Sequence, residues 1–294
     1  MPPPPYSQRL KLLRATLEPF TQRLAAGRQL IHHPRPQGLR RQQAGLFFHA
    51  APELFFQTAG TNRFTCPAEG FVLGPEEMAV MPRWLPHGEH CTAGRGAPFA
   101  AVVVGLDAGR ATFRQLCSGD GARPSVAWSV AIDSAHSDRL ARYLDDFGAC
   151  REVSPIFGHN LMLATLTLLL ELLQPDADTE TRTSAAHRFS PKVQRCHEII
   201  RAELSDPDLG VRRLARELRC TADHLSRLFR SECSVALNAF IREERLRHAQ
   251  TLLADPSLNV SEVAWACGFR DPNYFIRRFR SAHGATPGQA RRNA

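Results

Sequence analysis

Two stretches near the C-terminal end, fifty residues apart, repeat one pattern: DHLSRLFRS from Asp223 to Ser231 and NYFIRRFRS from Asn273 to Ser281. Each places apolar residues four apart, Leu225 with Phe229 and Phe275 with Phe279, so each is predicted to be a helix with one face turned to a core. The opposite faces carry Ser226, Arg227 and Arg230 in the first copy and Ile276, Arg277 and Arg280 in the second. Such faces suit a DNA groove.

The repeat continues outward. Leu214-Ala215 precede the first copy and Val263-Ala264 the second, each ending a short apolar helix that leads through a turn into the basic one. Each unit therefore reads as a helix-turn-helix. Ser190-Pro191 and Thr286-Pro287 set a capping hydroxyl before a proline at the first helical position. Thr221 and Asp271-Pro272 are expected to cap the two basic helices, Asn259 with Glu262 to form a capping box, and Gly268 to act as a left-handed stop. Between the units, residues 236–253 carry Phe240, Ile241, Leu246, Ala249, Leu252 and Leu253 at helical spacing. A helix of about 18 residues spans roughly 27 Å, enough to hold two recognition helices about one DNA turn, ~34 Å, apart.

The segments LARELRCTADHLSRLFR, RLRHAQTLL and VSEVAWACGFRDPNYFIRRFRSAHGATPGQAR closely resemble the signature of the AraC/XylS transcription regulators, over about a hundred residues. The resemblance implies an all-α DNA-binding domain over 190–294 with two helix-turn-helix units. Carried over by motif position, Ala222, Asp223, Ser226 and Arg227 face bases in one major groove, and Pro272, Asn273, Ile276 and Arg277 in the next. Arg230 and Arg280 are expected on phosphates. Three positions depart from the family: Ser234 stands where glycine is usual, Asp223 where a larger aromatic or polar residue is common, and Ile276 where a small hydroxyl residue is usual.

Charge agrees with this placement. Of the +8 formal net charge, residues 190–294 carry 18 basic against 12 acidic side chains, leaving +2 for the first 189 positions. Local clustering of cations, through phosphate neutralisation and counterion release, is what nucleic-acid affinity depends on. A membrane surface would need an exposed apolar helical face, which these helices spend on their core.

The first half reads as strands. From Gly45 to Ile132, short apolar runs (LFF, ELFFQ, RFTC, FVLG, MAVMP, FAAVVVG, VAWSVAI) alternate with Gly and Pro. Strands so short and close predict a barrel or sandwich, and strands followed by helices give an α+β chain. Before them, residues 1–44 are a Pro-rich and then basic amphipathic segment without the features of a signal peptide.

The segments HAAPELFFQTAG and LGPEEMAVMPRWLPHGEH resemble the two halves of a cupin motif, more loosely than the C-terminal match. The resemblance implies a cupin-like β-barrel over 45–135 with a small-molecule effector inside, for which His49, Glu53, Phe55, Gln57, Trp84 and His87 are the candidate pocket residues. The motif's complete three-histidine metal set is absent, so no metal or other cofactor is expected. His49, Glu53 and His87, with His90 as a further donor, nevertheless leave an alternative: a metal-dependent cupin enzyme fused to a DNA-binding module. Their plainer role is as hydrogen-bonded residues at the barrel mouth.

Residues 138–148 and 155–173 read as two helices, the second with leucines on nearly every face, which asks for cover on all sides. A dimerisation segment over 136–174 is expected, then a polar linker over 175–189. The longest apolar run, Leu161 to Leu173, is short for a bilayer and contains Glu171. Eight cysteines include no Cys-x-x-Cys pair, which leaves zinc clusters and redox motifs unsupported. The chain is thus expected to be a cytoplasmic homodimeric regulator rather than an enzyme. Its expected partners are operator or promoter double-stranded DNA, an effector and, as an activator, RNA polymerase, with no membrane.

Overall fold

The computed structural model describes residues 4–35, 49, 51–83, 85–93, 98–107, 109–118, 125–174, 189–254 and 258–292. The chain divides into two compact units, with Thr183 closing the first and Ser184 opening the main part of the second.

In the first unit a helix, α1 (Tyr6–Ala25), precedes the strands β1 (Ile31–His32), β2 (Glu53–Ala59), β3 (Thr61–Thr65), β4 (Gly70–Leu73), β5 (Met78–Met81), β6 (Gly88–Thr92), β7 (Phe99–Asp107), β8 (Arg110–Ser118) and β9 (Ser125–Asp133). Helices α2 (Ser137–Cys150) and α3 (Pro155–Leu172) follow. The strands form two sheets: β1-β5-β2-β7-β8-β9, antiparallel except for the β1–β5 pair, and β4-β3-β6.

Period-two alternation sorts the larger sheet into two faces. Leu54 and Phe56 of β2, Met78 and Val80 of β5, Val102 and Val104 of β7 and Phe113 of β8 turn one way. They pack against Leu10, Leu13, Leu17 and Phe20 of α1 and against Leu140, Leu144, Met162 and Leu166 of α2 and α3. Phe55, Ala79, Met81 and Val103 turn the other way and meet Phe64, Leu73 and Leu85. Glu53 and Gln57, two residues either side of Phe55, therefore face the smaller sheet.

Several elements differ from the sequence expectation. Strand β8, RATFRQLCS, carries two arginines and a glutamine among its apolar residues, so no apolar run marked it; pairing along its whole length with β7 and β9 makes it a central strand. The N-terminal segment supplies α1 to the same core as the sheet. Helix α3 is 18 residues long and, by length and apolarity alone, could cross a bilayer. Here its Met162, Leu166 and Leu169 are fully buried in the core, while Ile156 and Phe157 at its start, and Val153 just before it, stay exposed.

The second unit contains α4 (Pro191–Ala202), α5 (Val211–Glu217), α6 (Ala222–Cys233), α7 (Leu237–Leu253), α8 (Val260–Ala266), α9 (Pro272–His283) and α10 (Pro287–Arg292). Thr221 accepts from the His224 amide at 3.2 Å, Asp271 from the Asn273 amide at 2.9 Å, and Asn259 with Glu262 forms the reciprocal box. Ser190 is the exception among the expected caps. Its hydroxyl makes no capping bond, and its amide instead donates to Glu232 at 2.7 Å. The buried Cys196 thiol is pushed up to about 12 by desolvation, with Cys233 and Cys220 adding to it, which fits an inert small hydrophobe.

The two helix-turn-helix units solve the same turns with different residues. Both need a left-handed residue after the first helix and again after the basic one. The second unit uses Gly268 and Gly284, each at φ +74°, whereas the first uses Arg219 at +51° and Ser234 at +59°. A side chain in this conformation costs about 1–2 kcal/mol, and glycine returns part of that in entropy. Ser234→Gly, in the first helix-turn-helix unit, is therefore expected to stabilise the C-terminal helical domain by about 0.5–1 kcal/mol, read as a raised urea midpoint with unchanged slope.

Candidate nucleic-acid interface and ligand pocket

Helices α6 and α9 are matched position by position. From Thr221 to Arg230 and from Asp271 to Arg280 the sequence of exposed, half-buried and buried residues is identical, with Leu225 and Phe229, then Phe275 and Phe279, as the buried pairs. Packing holds each helix by one stripe. Phe229 stacks among Phe240 and His197, and Phe279 among Phe275 and His283, at ring separations of 4.4 to 5.6 Å.

The residues left outward are the ones the motif singles out. Asp223, Arg227, Arg230, Asn273, Arg277 and Arg280 are exposed; Ala222, Ser226, Pro272 and Ile276 are half-buried beside them. Asp223 and Arg227, one helical turn apart, form a 2.9 Å ion pair open to solvent. The Ser226 hydroxyl donates to the Ala222 carbonyl at 2.7 Å, leaving its oxygen to accept. A depression of about 430 Å³ lined by Asp208, Arg212, Arg213, Ala222, Ser226 and Asn238 opens beside these positions.

Arginines the sequence reading did not single out tie the loop before α5 to the later helices. Arg245 of α7 donates to the Leu204 and Asp206 carbonyls at 3.0 and 2.7 Å, and Arg270 pairs with Asp208 across the two helix-turn-helix units. Gly268 approaches the same loop so closely that a Cβ there would lie 2.6 Å from the Leu204 oxygen.

In the first unit, the structure brings together three of the six candidate pocket residues. His49 Nε2 lies 3.4 Å from Glu53 Oε2, the His49 and His87 rings are 5.5 Å apart, and one ligand atom from each of His49, Glu53 and His87 falls within 4.8 Å of the others. Phe55 flanks them, its ring 6.4 Å from that of His87. Gln57 sits four residues along β2, roughly 13 Å away, with its amide nitrogen on the Ala59 and Ala100 carbonyls. Trp84 lies outside the described residues. His90 and its neighbour Glu89 on β6 are both exposed, with Glu89 on the face of Phe64 and His90 on the opposite one beside Arg63.

Three neighbours escaped the sequence reading. Arg114 of β8 pairs with Glu53 Oε1, and Asn62 of β3 donates to Glu89 Oε2 at 2.8 Å. Only strand pairing across 61 residues joins Arg114 to Glu53; a basic residue on the inward phase of β8 was the available signal. Desolvation raises the Glu53 carboxyl, but His49, Arg114 and His87 together outweigh burial and hold it below the ordinary range.

Residues 214–293 match a protein-family profile described as a helix-turn-helix domain. Curated relatives agree over this part. The uncharacterized HTH-type transcriptional regulator YijO of Escherichia coli K12 is 40% identical over 79 residues, 27% of this chain and 28% of its own length. The HTH-type transcriptional regulator GlxA of Rhizobium meliloti is 34% identical over 38% of this chain and 36% of its own. The HTH-type transcriptional activator RhaR of Escherichia coli K12 is 30% identical over 45% of each. The chain thus spans less than half the length of each of these relatives. Among solved structures, the C-terminal domain of AraT, a response regulator from Geobacillus stearothermophilus, is 30% identical over 36% of this chain and 88% of that chain, with a TM-score of 0.36.

Proposed function

We propose that the protein, whose residues 214–293 match a helix-turn-helix domain, is an AraC-type, sequence-specific DNA-binding transcription regulator responsive to a small-molecule effector held in the first unit. One observation carries the reading: α6 and α9 expose the same positions residue by residue while burying the same pair. Two equivalent surfaces joined by a 17-residue helix, about 25 Å long, suit two successive major grooves. The protein reads as a regulator rather than an enzyme.

Within that function the roles follow from chemistry. Arg227 and Arg277 bridge guanine O6 and N7; Asp223 accepts from a cytosine amino group; Ala222, Pro272 and Ile276 offer apolar contact to thymine methyls; Ser226 and Asn273 hydrogen-bond base edges. Arg230 and Arg280 neutralise phosphates. The effector sits in a cupin-like first unit near His49, Glu53, Phe55 and His87, and acts only as far as it prefers one arrangement of the two units over another. The exposed apolar residues Val153, Ile156 and Phe157 favour a homodimer through α3. RNA polymerase is the further partner if the protein activates, and the cytoplasm is the compartment.

Arg277→Ala is the direct test. On a DNA site selected from a random pool by the wild-type protein, the variant is expected to bind about 5- to 150-fold more weakly, equivalent to ~1–3 kcal/mol, with relaxed preference at one base pair. A competition assay reads both. Unchanged affinity together with unchanged preference would remove α9 from the base-reading surface.

A further inference from the structure

The two basic helices share their burial pattern but not their charge. Between Ala222 and Cys233, Arg227 and Arg230 stand against Asp223 and Glu232, whereas between Pro272 and His283 the arginines Arg277, Arg278 and Arg280 face no acidic residue of their own helix. The difference is sharpest at two matched positions. Where α9 has Asn273 one turn before Arg277, α6 has Asp223 one turn before Arg227, and Arg227 Nη2 lies 2.9 Å from Asp223 Oδ2. Arg277 makes no ion pair among the described residues.

Stability does not account for the pair. Its side chains are 76% and 78% exposed, and ion pairs so open to water contribute little to folding. Nor is Asp223 the helix cap, since the Thr221 hydroxyl takes the His224 amide at 3.2 Å. What the pair does fix is direction. A lone surface arginine samples many rotamers, and a carboxylate one turn earlier holds the guanidinium over the face that both residues share. One N–H of Nη2 goes to Asp223, and the rest of the fork remains for a two-point contact to guanine O6 and N7. The second carboxylate oxygen, Oδ1, can only accept. In a groove from which water has been displaced, a cytosine amino group satisfies it, while guanine O6 and N7 or thymine O4 oppose it.

We propose that Asp223 and Arg227 read DNA as one unit, which makes α6 the discriminating helix and leaves α9 to supply more of the affinity. Asp223 is the positioning residue for Arg227 and rejects acceptor-bearing bases beside the guanine that Arg227 reads. The proposal rests on the DNA-reading assignment of α6 and α9. A carboxylate facing DNA weakens binding to every sequence by repelling phosphates, and weakens it most where no amino group meets it, so the difference between sequences grows. Helix α9 has the opposite bias, because its arginines neutralise phosphates whatever the bases are.

The test uses the full chain and a DNA site selected from a random pool, in competition with every single-base-pair change of that site and with unrelated DNA. Asp223→Ala should bind unrelated DNA more tightly than the wild type does, with a log–log salt dependence steeper by about one unit as the released Arg227 reaches a phosphate. Its preference for the guanine read by Arg227 should fall by about 5-fold or more. Arg227→Ala should then cost less discrimination in the Asp223→Ala background than alone, as coupled residues do. Asp223→Asn offers an amide N–H as well as an oxygen, so the preference at the neighbouring base pair should move from cytosine towards thymine or guanine. The reverse exchange on α9, Asn273→Asp, should weaken binding to unrelated DNA and sharpen the choice at the base pair read by Arg277. Additive losses in the cycle, or unchanged preferences in both Asp223 variants, would overturn the proposal while a selected site still upheld the DNA-reading assignment. A wild-type protein that selects no sequence would overturn both.

Discussion

Phe279→Ala is expected to destabilise the second unit by about 3–5 kcal/mol, the usual cost of deleting a fully buried ring. Phe279 has no exposed surface and packs between buried Phe275 at 5.6 Å and exposed His283 at 4.4 Å, so the deletion leaves a cavity in the core. Domains carry about 5–15 kcal/mol in all, so a third or more of the stability goes with one side chain. Because the same stripe fixes which way α9 faces, DNA affinity should fall in parallel, although Phe279 is on the side away from the exposed arginines. Urea unfolding of the fragment 189–294 and a binding titration measure the two effects. A loss below about 1 kcal/mol would mean that the helix is not held by this ring.

Arg114→Met is expected to cost the first unit about 3–5 kcal/mol at neutral pH by leaving Glu53 buried and uncompensated. Both partners are enclosed, with side-chain exposures of 13% and 6%. The dependence on pH identifies the cause. In the wild type the Glu53 carboxyl is held below its ordinary value, so its contribution to stability is present above the unfolded value, about 4.3, and is lost as pH falls through the lower folded one. Without Arg114, desolvation opposes only His49 and His87, and the variant pays to keep Glu53 ionised. Protonation removes that cost. The difference in melting temperature between wild type and variant should therefore be largest near pH 7 and shrink toward pH 4. An equal difference at both would place the loss in packing instead of charge.

The second unit was legible because its information is local. Leu225, Phe229, Phe275 and Phe279 announce their burial by spacing, and Thr221, Asp271, Asn259 and Gly268 mark helix ends within a turn or two of themselves. Ser190 misled because a capping residue type does not guarantee a capping rotamer when a tertiary acceptor, Glu232, takes the amide. In the first unit the determining contacts are distant in sequence. Glu53 and His87 were recognisable as residue types, but Arg114 joins them only through the β2–β7–β8 register. Polar alternation hid β8, while the two-residue β1 pairs in parallel with β5 across 46 intervening residues. The spacer helix was readable from its apolar residues; that Arg245 ties it to the Leu204–Asp206 loop was not, since nothing in an exposed-looking arginine specifies two backbone carbonyls 40 residues away.

The placement of α1 has a consequence for synthesis. Its buried face, Leu10, Leu13, Leu17, Phe20 and Leu24, is covered by strands and by α3, which is completed about 150 residues later. At roughly 5–20 residues per second, translation leaves that face without its final partners for on the order of 10–30 s. An isolated 20-residue helix is marginal in water, so the first folded-looking segment to leave the ribosome is also an open apolar strip. The nascent chain is thus expected to be a chaperone client until the last strands and α3 emerge, and slowing translation should increase its aggregation before it affects the later, locally folding second unit.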